Sequence, residues 1–173
     1  MNRSVEEVWL ITGAPGAGKS TVAHLLASSM ERAAYIPGDQ LHDLIVSGQV
    51  AHDGEPVEEA ERQIELTERN FCLLAKSFAA AGIVPVLDWV VRHKKDLDVY
   101  LRSLEELELH LVVLAPSLES ISERDPRSFE RWAYLEPQLM SELADIGLRV
   151  DTTELSVDET VEHILSQKQD ALV

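Results

Sequence analysis

The stretch that decides the fold is "VWLITGAPGAGKSTVAHLLASSM", residues 8–30. Gly13, Gly18, Lys19 and Ser20 satisfy the spacing G-x-x-x-x-G-K-[ST] of a phosphate-binding loop. Val8 to Ile11 supply the strand before it, and Val22, Leu25, Leu26 and Met30 recur at helical spacing after it. The composition answers to charge. A helix N-terminus offers unpaired N–H groups and the positive end of a dipole to an anion. Glycines at 13, 16 and 18 let successive N–H groups turn into one concavity, with Ala14, Pro15, Ala17 and Thr21 completing the cradle. Lys19 is placed to reach the β and γ phosphates of a nucleotide, and the Ser20 hydroxyl to bind Mg²⁺. The competing reading is a glycine-rich turn with a chance lysine; strand, loop and helix in the right order argue against it.

Working outward, 173 residues with 45% hydrophobic content suffice for one domain with a proper core, taken as residues 1–173. Lys and Arg number 15 against 31 Asp and Glu, a formal charge of −16. Such a chain is repelled by a polyanionic backbone, so nucleic acid is not expected as a partner. The single cysteine, Cys72, reads as a small core residue. No apolar run approaches the roughly 18 residues of a membrane span, and the expected location is the cytoplasm.

Apolar runs alternate with helical patterns along the chain. The strand-like segments are Val8–Thr12, Ala33–Ile36, Ile83–Leu87, Leu109–Leu114 and Leu148–Val150. This alternation predicts a parallel sheet with helices on both faces. The clearest helix follows Pro56, with Val57, Ala60, Ile64, Phe71, Leu74 and Phe78 as its apolar stripe and Gly82 at its C-terminal cap. Its charged residues, Glu58 through Glu68, read as a solvated face. The last helix opens on a Ser156–Glu159 capping box. Residues 117–142 are less regular: Ser117 can cap a helix, but Pro126 and Pro137 break the pattern around Arg124, Arg127 and Arg131. That is the composition of a mobile flap.

Three places beyond the loop carry candidate chemistry. Asp39 falls just past the second strand, at the edge where open α/β sheets place ligands. It is a candidate general base or metal-water ligand, or else the N-cap of a following helix. Asp88 ends an apolar strand and can order Mg²⁺ or an acceptor, or cap a turn. Arg92 can hold an acceptor or form a surface ion pair, and His42 lies in the same acceptor-side stretch as Asp39. Arg124 and Arg127 can bring cations to a transferring phosphoryl group as a lid closes, or form ion pairs with Glu119, Glu123 and Glu130.

The order of glycine-rich loop, "GDQLH" (38–42), strand-end aspartate, arginine-bearing segment and closing "VDTTELSVDETVEHIL" (150–165) resembles the small P-loop kinases of the nucleotide-kinase-like group. Gluconate kinases, antibiotic O-phosphotransferases such as the chloramphenicol enzyme, and bacterial P-loop kinases of unassigned activity share this plan. The likeness implies a three-layer α/β sandwich with a five-stranded parallel sheet of order 2-3-1-4-5 and a small helical lid near 117–142. It also implies Asp39 as base, Arg124 and Arg127 as lid arginines, and Asp151, Thr152 and Thr153 beside an adenine. Adenylate kinases carry DGFPR where this chain has "DWVVR" (88–92): the Asp-to-Arg spacing matches, with Trp89 in place of glycine. The expected activity is ATP- and Mg²⁺-dependent phosphoryl transfer to a hydroxyl of a small molecule (a sugar acid, a polyol or an antibiotic-like compound), by a monomer or homodimer. A nucleoside or nucleotide kinase, and a nucleotide-binding regulatory module without acceptor, are the alternatives.

Overall fold

The computed structural model describes residues 6–132, Pro137 and 141–173, with the side chains of Ser128, Arg131 and Trp132 outside that description. Part of the expected lid, including the Arg131 side chain, therefore lies outside the described residues. Five strands, β1 (Glu7–Gly13), β2 (Ala33–Pro37), β3 (Val84–Asp88), β4 (Glu108–Leu114) and β5 (Leu148–Val150), form one sheet. Its order is β2-β3-β1-β4-β5 with every pairing parallel, as the resemblance implies.

Alternation along β1 explains the three layers. Val8 and Leu10 enter one core with α3 (Val57–Ala80) and α4 (Lys94–Ser103). Trp9 and Ile11 enter the other with α1 (Lys19–Ser29) and α7 (Val157–Ser166). A central strand buried on both faces needs apolar side chains at successive positions, and residues 8–11 are all fully or almost fully buried. The remaining helices are short: α2 (Gly38–His42), α5 (Leu118–Arg124) and α6 (Pro126–Trp132). No helix among the described residues is long and apolar enough to cross a membrane.

Local signals placed the caps correctly. Ser117 accepts from the Ser120 N–H at 3.2 Å, and the Ser156–Glu159 box is closed in both directions. At the end of α3, Gly82 has φ 75°, and Ile83 N donates to Phe78 O while Gly82 N donates to Ala79 O. That is a Schellman motif, with glycine at the left-handed position.

The buried face of α3 differs from the expected stripe. Val57 is 57% exposed and Leu74 also faces solvent, whereas Gln63, Thr67 and Glu68 are buried. Residues 60, 64, 67, 68, 71 and 75 lie on one side of a helix by spacing alone. Position, rather than polarity, therefore carries Glu68 inward, and what it meets there decides its state.

Candidate active site

The loop between β1 and α1 is built as its spacing requires. Gly13, Gly16 and Gly18 all have positive φ, and Gly18 occupies the N-cap of α1. Gly13 is bound by space as well as by torsion: a Cβ there would stand 2.6 Å from the Leu114 carbonyl oxygen. Lys19 folds back over the loop, its Nζ donating to Ala14 O at 3.2 Å. The residue is only partly buried, but its ammonium end is enclosed. Burial lowers its pKa, and the charges of Asp88 and then Asp39 oppose that shift. Two carboxylates thus act on the loop cation through their charge.

Asp88 is the last residue of β3, in register with Ile11 of β1 and Pro37 of β2. It is 4% exposed. Its Oδ2 accepts from the Tyr35 hydroxyl at 2.5 Å. Burial and then that bond push the Tyr35 phenol well above its ordinary range, while Ser20 acts in the opposite direction. Tyr35, which carries no motif, therefore orients the strand-end acid. Beyond Asp88, Trp89 N donates to Ile11 O and Val91 N to the buried Thr12 hydroxyl, pinning residues 88–92 against the loop.

Asp39 stands exposed at the second residue of α2, whose N-cap is Pro37; no side chain caps this helix. The N-cap reading of Asp39 is not what the fold uses. The residue before it, Gly38, admits no side chain: a Cβ would lie 2.1 Å from Trp89 Cε3 and 2.6 Å from Asp88 O. The glycine of "GDQLH" is there so that Asp39 can emerge beside Asp88.

The far end of the cleft rests on polar residues of α3. Gln63 Nε2 donates to Gly48 O at 2.8 Å, and its Oε1 accepts from Val50 N at 2.9 Å. Thr67 Oγ1 lies 3.1 Å from His42 Nδ1, and His42 Nε2 lies 3.3 Å from Val50 O. His42 lines the cleft but is buried with both ring nitrogens engaged, holding the loop of residues 48–52. His52, which sequence reasoning passed over, packs edge-on against Trp89 with centroids 5.0 Å apart. Burial and then His42 lower its pKa, so it is neutral at pH 7. Arg92 also lines the cleft, bonded through Nη1 to Glu61 Oε1 at 3.1 Å. His93 is the N-cap residue of α4, where its backbone N–H donates to Asp96 Oδ2 at 3.1 Å.

On the nucleotide side, Arg124 and Arg127 part company. Arg124 lines the cleft and donates from Nη2 to Thr152 O at 2.9 Å and Thr153 O at 3.1 Å. Arg127 is exposed and is not among the cleft residues. The loop that Arg124 holds is further fixed by Asp151, whose Oδ1 accepts from the N–H and hydroxyl of Thr153. Thr152 lines the cleft, and its buried hydroxyl has no hydrogen-bond partner among the described residues.

One continuous cleft of about 1360 Å³ runs from this loop across Lys19 and Ser20 to Asp39, Asp88 and the residue 49–64 wall. Small-molecule pockets typically span roughly 300–1,000 Å³, so this cleft is larger than a site for one small ligand needs. No group of three or more His, Cys, Asp or Glu among the described residues could hold a metal by itself. The donor set at the loop is instead one hydroxyl and two carboxylates. Hard oxygen donors of that kind fit Mg²⁺ carried on phosphates and keeping most of its waters.

Comparison with known proteins agrees with this geometry. A curated relative, the "Probable adenylyl-sulfate kinase" of Aeropyrum pernix, is 27% identical over 132 residues, covering 73% of this chain and 67% of that protein. The Mycobacterium tuberculosis APS kinase, solved with AMPPNP and APS, superposes with a TM-score of 0.71 at 15% identity, covering 96% of this chain and 99% of that one. Shikimate kinase from Aquifex aeolicus gives 0.64 at 17% identity over 94% and 96%. The family model for chloramphenicol phosphotransferase-like proteins matches residues 6–169. The chain therefore belongs to the chloramphenicol phosphotransferase-like family, a kinase-type family of P-loop phosphotransferases.

Proposed function

We propose that this protein transfers the γ-phosphoryl group of ATP, with Mg²⁺, to a hydroxyl of a small molecule. The observation that carries the reading is the cleft: beyond Lys19 and Ser20 of the phosphate loop it continues past Asp39 and Asp88 to Gln49, His52 and Ile64. A nucleotide-binding regulatory module has no use for that space beyond the phosphate loop.

The loop N–H groups and Lys19 hold the phosphates, and Ser20 with the carboxylate of Asp88 holds the metal and its waters. Bound Mg²⁺ supplies neutralisation of charge on the β and γ phosphates. Tyr35 keeps the Asp88 carboxylate in one orientation. Asp39, exposed to the cleft, accepts the proton of the acceptor hydroxyl as that oxygen attacks in line. Trp89 and the pinned 88–92 segment shield the transfer point. Arg124 holds the Thr152–Thr153 loop on the nucleotide's base side, where the Thr152 hydroxyl can serve the adenine. The family and the adenylyl-sulfate kinase likeness put antibiotics, sugar acids, polyols and adenylyl sulfate on the panel of acceptors to be tried.

The test is an acceptor screen at fixed Mg·ATP with two variants alongside. Lys19→Ala is expected to lose ATP affinity severely. Asp39→Asn is expected to keep ATP affinity and a normal melting transition while transfer falls by roughly 10²-fold or more. An Asp39→Asn protein that transfers at the parental rate removes aspartate from the base role. A parent that binds Mg·ATP but phosphorylates nothing in a broad panel moves the regulatory reading ahead.

A further inference from the structure

Charge at the end of the cleft lined by Arg92 narrows the acceptor, on the footing of the phosphotransferase reading above. We infer that the acceptor is an alcohol carrying no anionic group, and that Glu61, together with Asp96, enforces this choice by occupying Arg92. Arg92 is the sole Lys or Arg side chain among the described residues lining that end of the cleft. Its guanidinium is already committed. Nη1 bonds Glu61 Oε1 at 3.1 Å from α3, and Nε lies 3.8 Å from Asp96 Oδ2 on α4.

The cation is held from a buried side as well as an exposed one: the Arg92 side chain is 20% exposed and Asp96 7%, while the Glu61 side chain is 43% exposed. Asp96 is also fixed, because its Oδ2 accepts the His93 N–H at 3.1 Å in the α4 capping box. Two helices therefore supply one carboxylate each to a single cation, leaving no positive charge over. Asp39, Asp43 and Asp53 line the same end. A carboxylate, sulfate or phosphate entering there has to displace Glu61 from Arg92 and sit in the focused field of these acids. An uncharged alcohol meets neither obstacle, and finds apolar wall in Ile64 and Trp89 and a neutral imidazole in His52. Glu61 is thus a specificity-determining residue that works through Arg92 without lining the cleft itself.

The experiment is calorimetric titration of adenylyl sulfate and of gluconate into protein loaded with Mg·AMPPNP. The proteins are the parent, Glu61→Gln, Glu61→Ala and the double variant Glu61→Gln/Arg92→Ala. Both single variants are expected to bind the anions roughly tenfold more tightly than the parent, a difference of about 1.4 kcal/mol. The double variant should lose that gain. In the transfer assay, the parent's best uncharged alcohol should exceed either anion in kcat/KM by roughly tenfold or more. Equal anion affinity in parent and single variants overturns the inference, as does a gain that survives loss of Arg92. A parent that prefers adenylyl sulfate or gluconate over every uncharged alcohol also overturns it. The binding arm needs no turnover: if the parent fails to bind Mg·AMPPNP, the phosphotransferase reading falls, and the same titrations on unloaded protein still decide the Arg92 question.

Discussion

At the scale of single residues, the site depends on side chains whose partners come from distant parts of the chain. Tyr35 and Asp88 are 53 positions apart, yet their hydrogen bond orients the buried carboxylate beside Lys19. Removing the phenol hydroxyl leaves a buried carboxylate short of a donor, which typically costs about 1–3 kcal/mol. Tyr35→Phe should therefore lower the denaturant midpoint, and it should also raise the Mg²⁺ concentration needed for half-maximal AMPPNP binding by several-fold. AMPPNP binding without metal should stay unchanged. A variant with lower stability and an unaltered Mg²⁺ titration assigns Tyr35 to the fold alone. Gly38 belongs at this scale too: its torsion carries no demand, and only the Trp89 ring and Asp88 carbonyl packed over it explain why a side chain is barred.

At the scale of elements, α3 is the member that joins fold to site. Its apolar positions pack on the sheet, while Gln63 and Thr67 on the same face anchor residues 42–52. Glu68 is carried into this interface at 2% exposure. Burial first, and then the neighbouring Asp96, push its carboxyl up to about 8, with Arg92 opposing. The folded state thus binds this proton more strongly than the unfolded chain, whose ordinary value is near 4.5. The stabilisation is full below that value and is lost as pH rises toward 8. Parent stability should fall between about pH 4.5 and 8 and level off above, whereas Glu68→Gln, neutral throughout, should flatten the decline and exceed the parent at pH 8 by up to roughly 4 kcal/mol. Denaturant unfolding across that range checks it; parallel curves for the two proteins would show that Glu68 does not hold its proton.

At the scale of the whole molecule, the 2-3-1-4-5 order places β1 between β3 and β4 and so brings the phosphate loop, Asp88 and the loop after β5 to one edge of the sheet. The two arginines expected to act together are then separated. Arg124 is bonded to the carbonyls of the loop after β5, so Arg124→Ala should weaken ATP binding roughly tenfold, as expected for charge-assisted bonds worth about 1.5–3 kcal/mol. Arg127 lies outside the cleft, so the proposed lid role would require its segment to close over the phosphates. Arg127→Ala should leave ATP affinity within about twofold while lowering the transfer rate, as a residue used only in the transition state does. Separate measurement of affinity and single-turnover rate distinguishes these. If Arg127→Ala transfers normally, it is a surface residue and closure involves Arg124 alone.

Much of this was legible in the chain itself. The glycine spacing at 13–18, the alternation of apolar strand and helix, the Ser117 and Ser156 caps and the Gly82 stop were all readable, because each is a demand of backbone torsion or hydrogen bonding met within a few residues. Asp88 was legible as the acid that ends an apolar strand, and Asp39 as an acid just past the second one, because open α/β sheets place ligands at that edge. Tertiary structure alone decided that Glu68 is buried, that His42 braces a loop, that Glu61 occupies Arg92 and that Arg124 rather than Arg127 lines the cleft. These facts rest on partners 25 to 31 positions apart in sequence or on the face a helix turns to its neighbours. A residue's own chemistry states what it can bind, but only packing determines which partner reaches it first and how much water is left to compete.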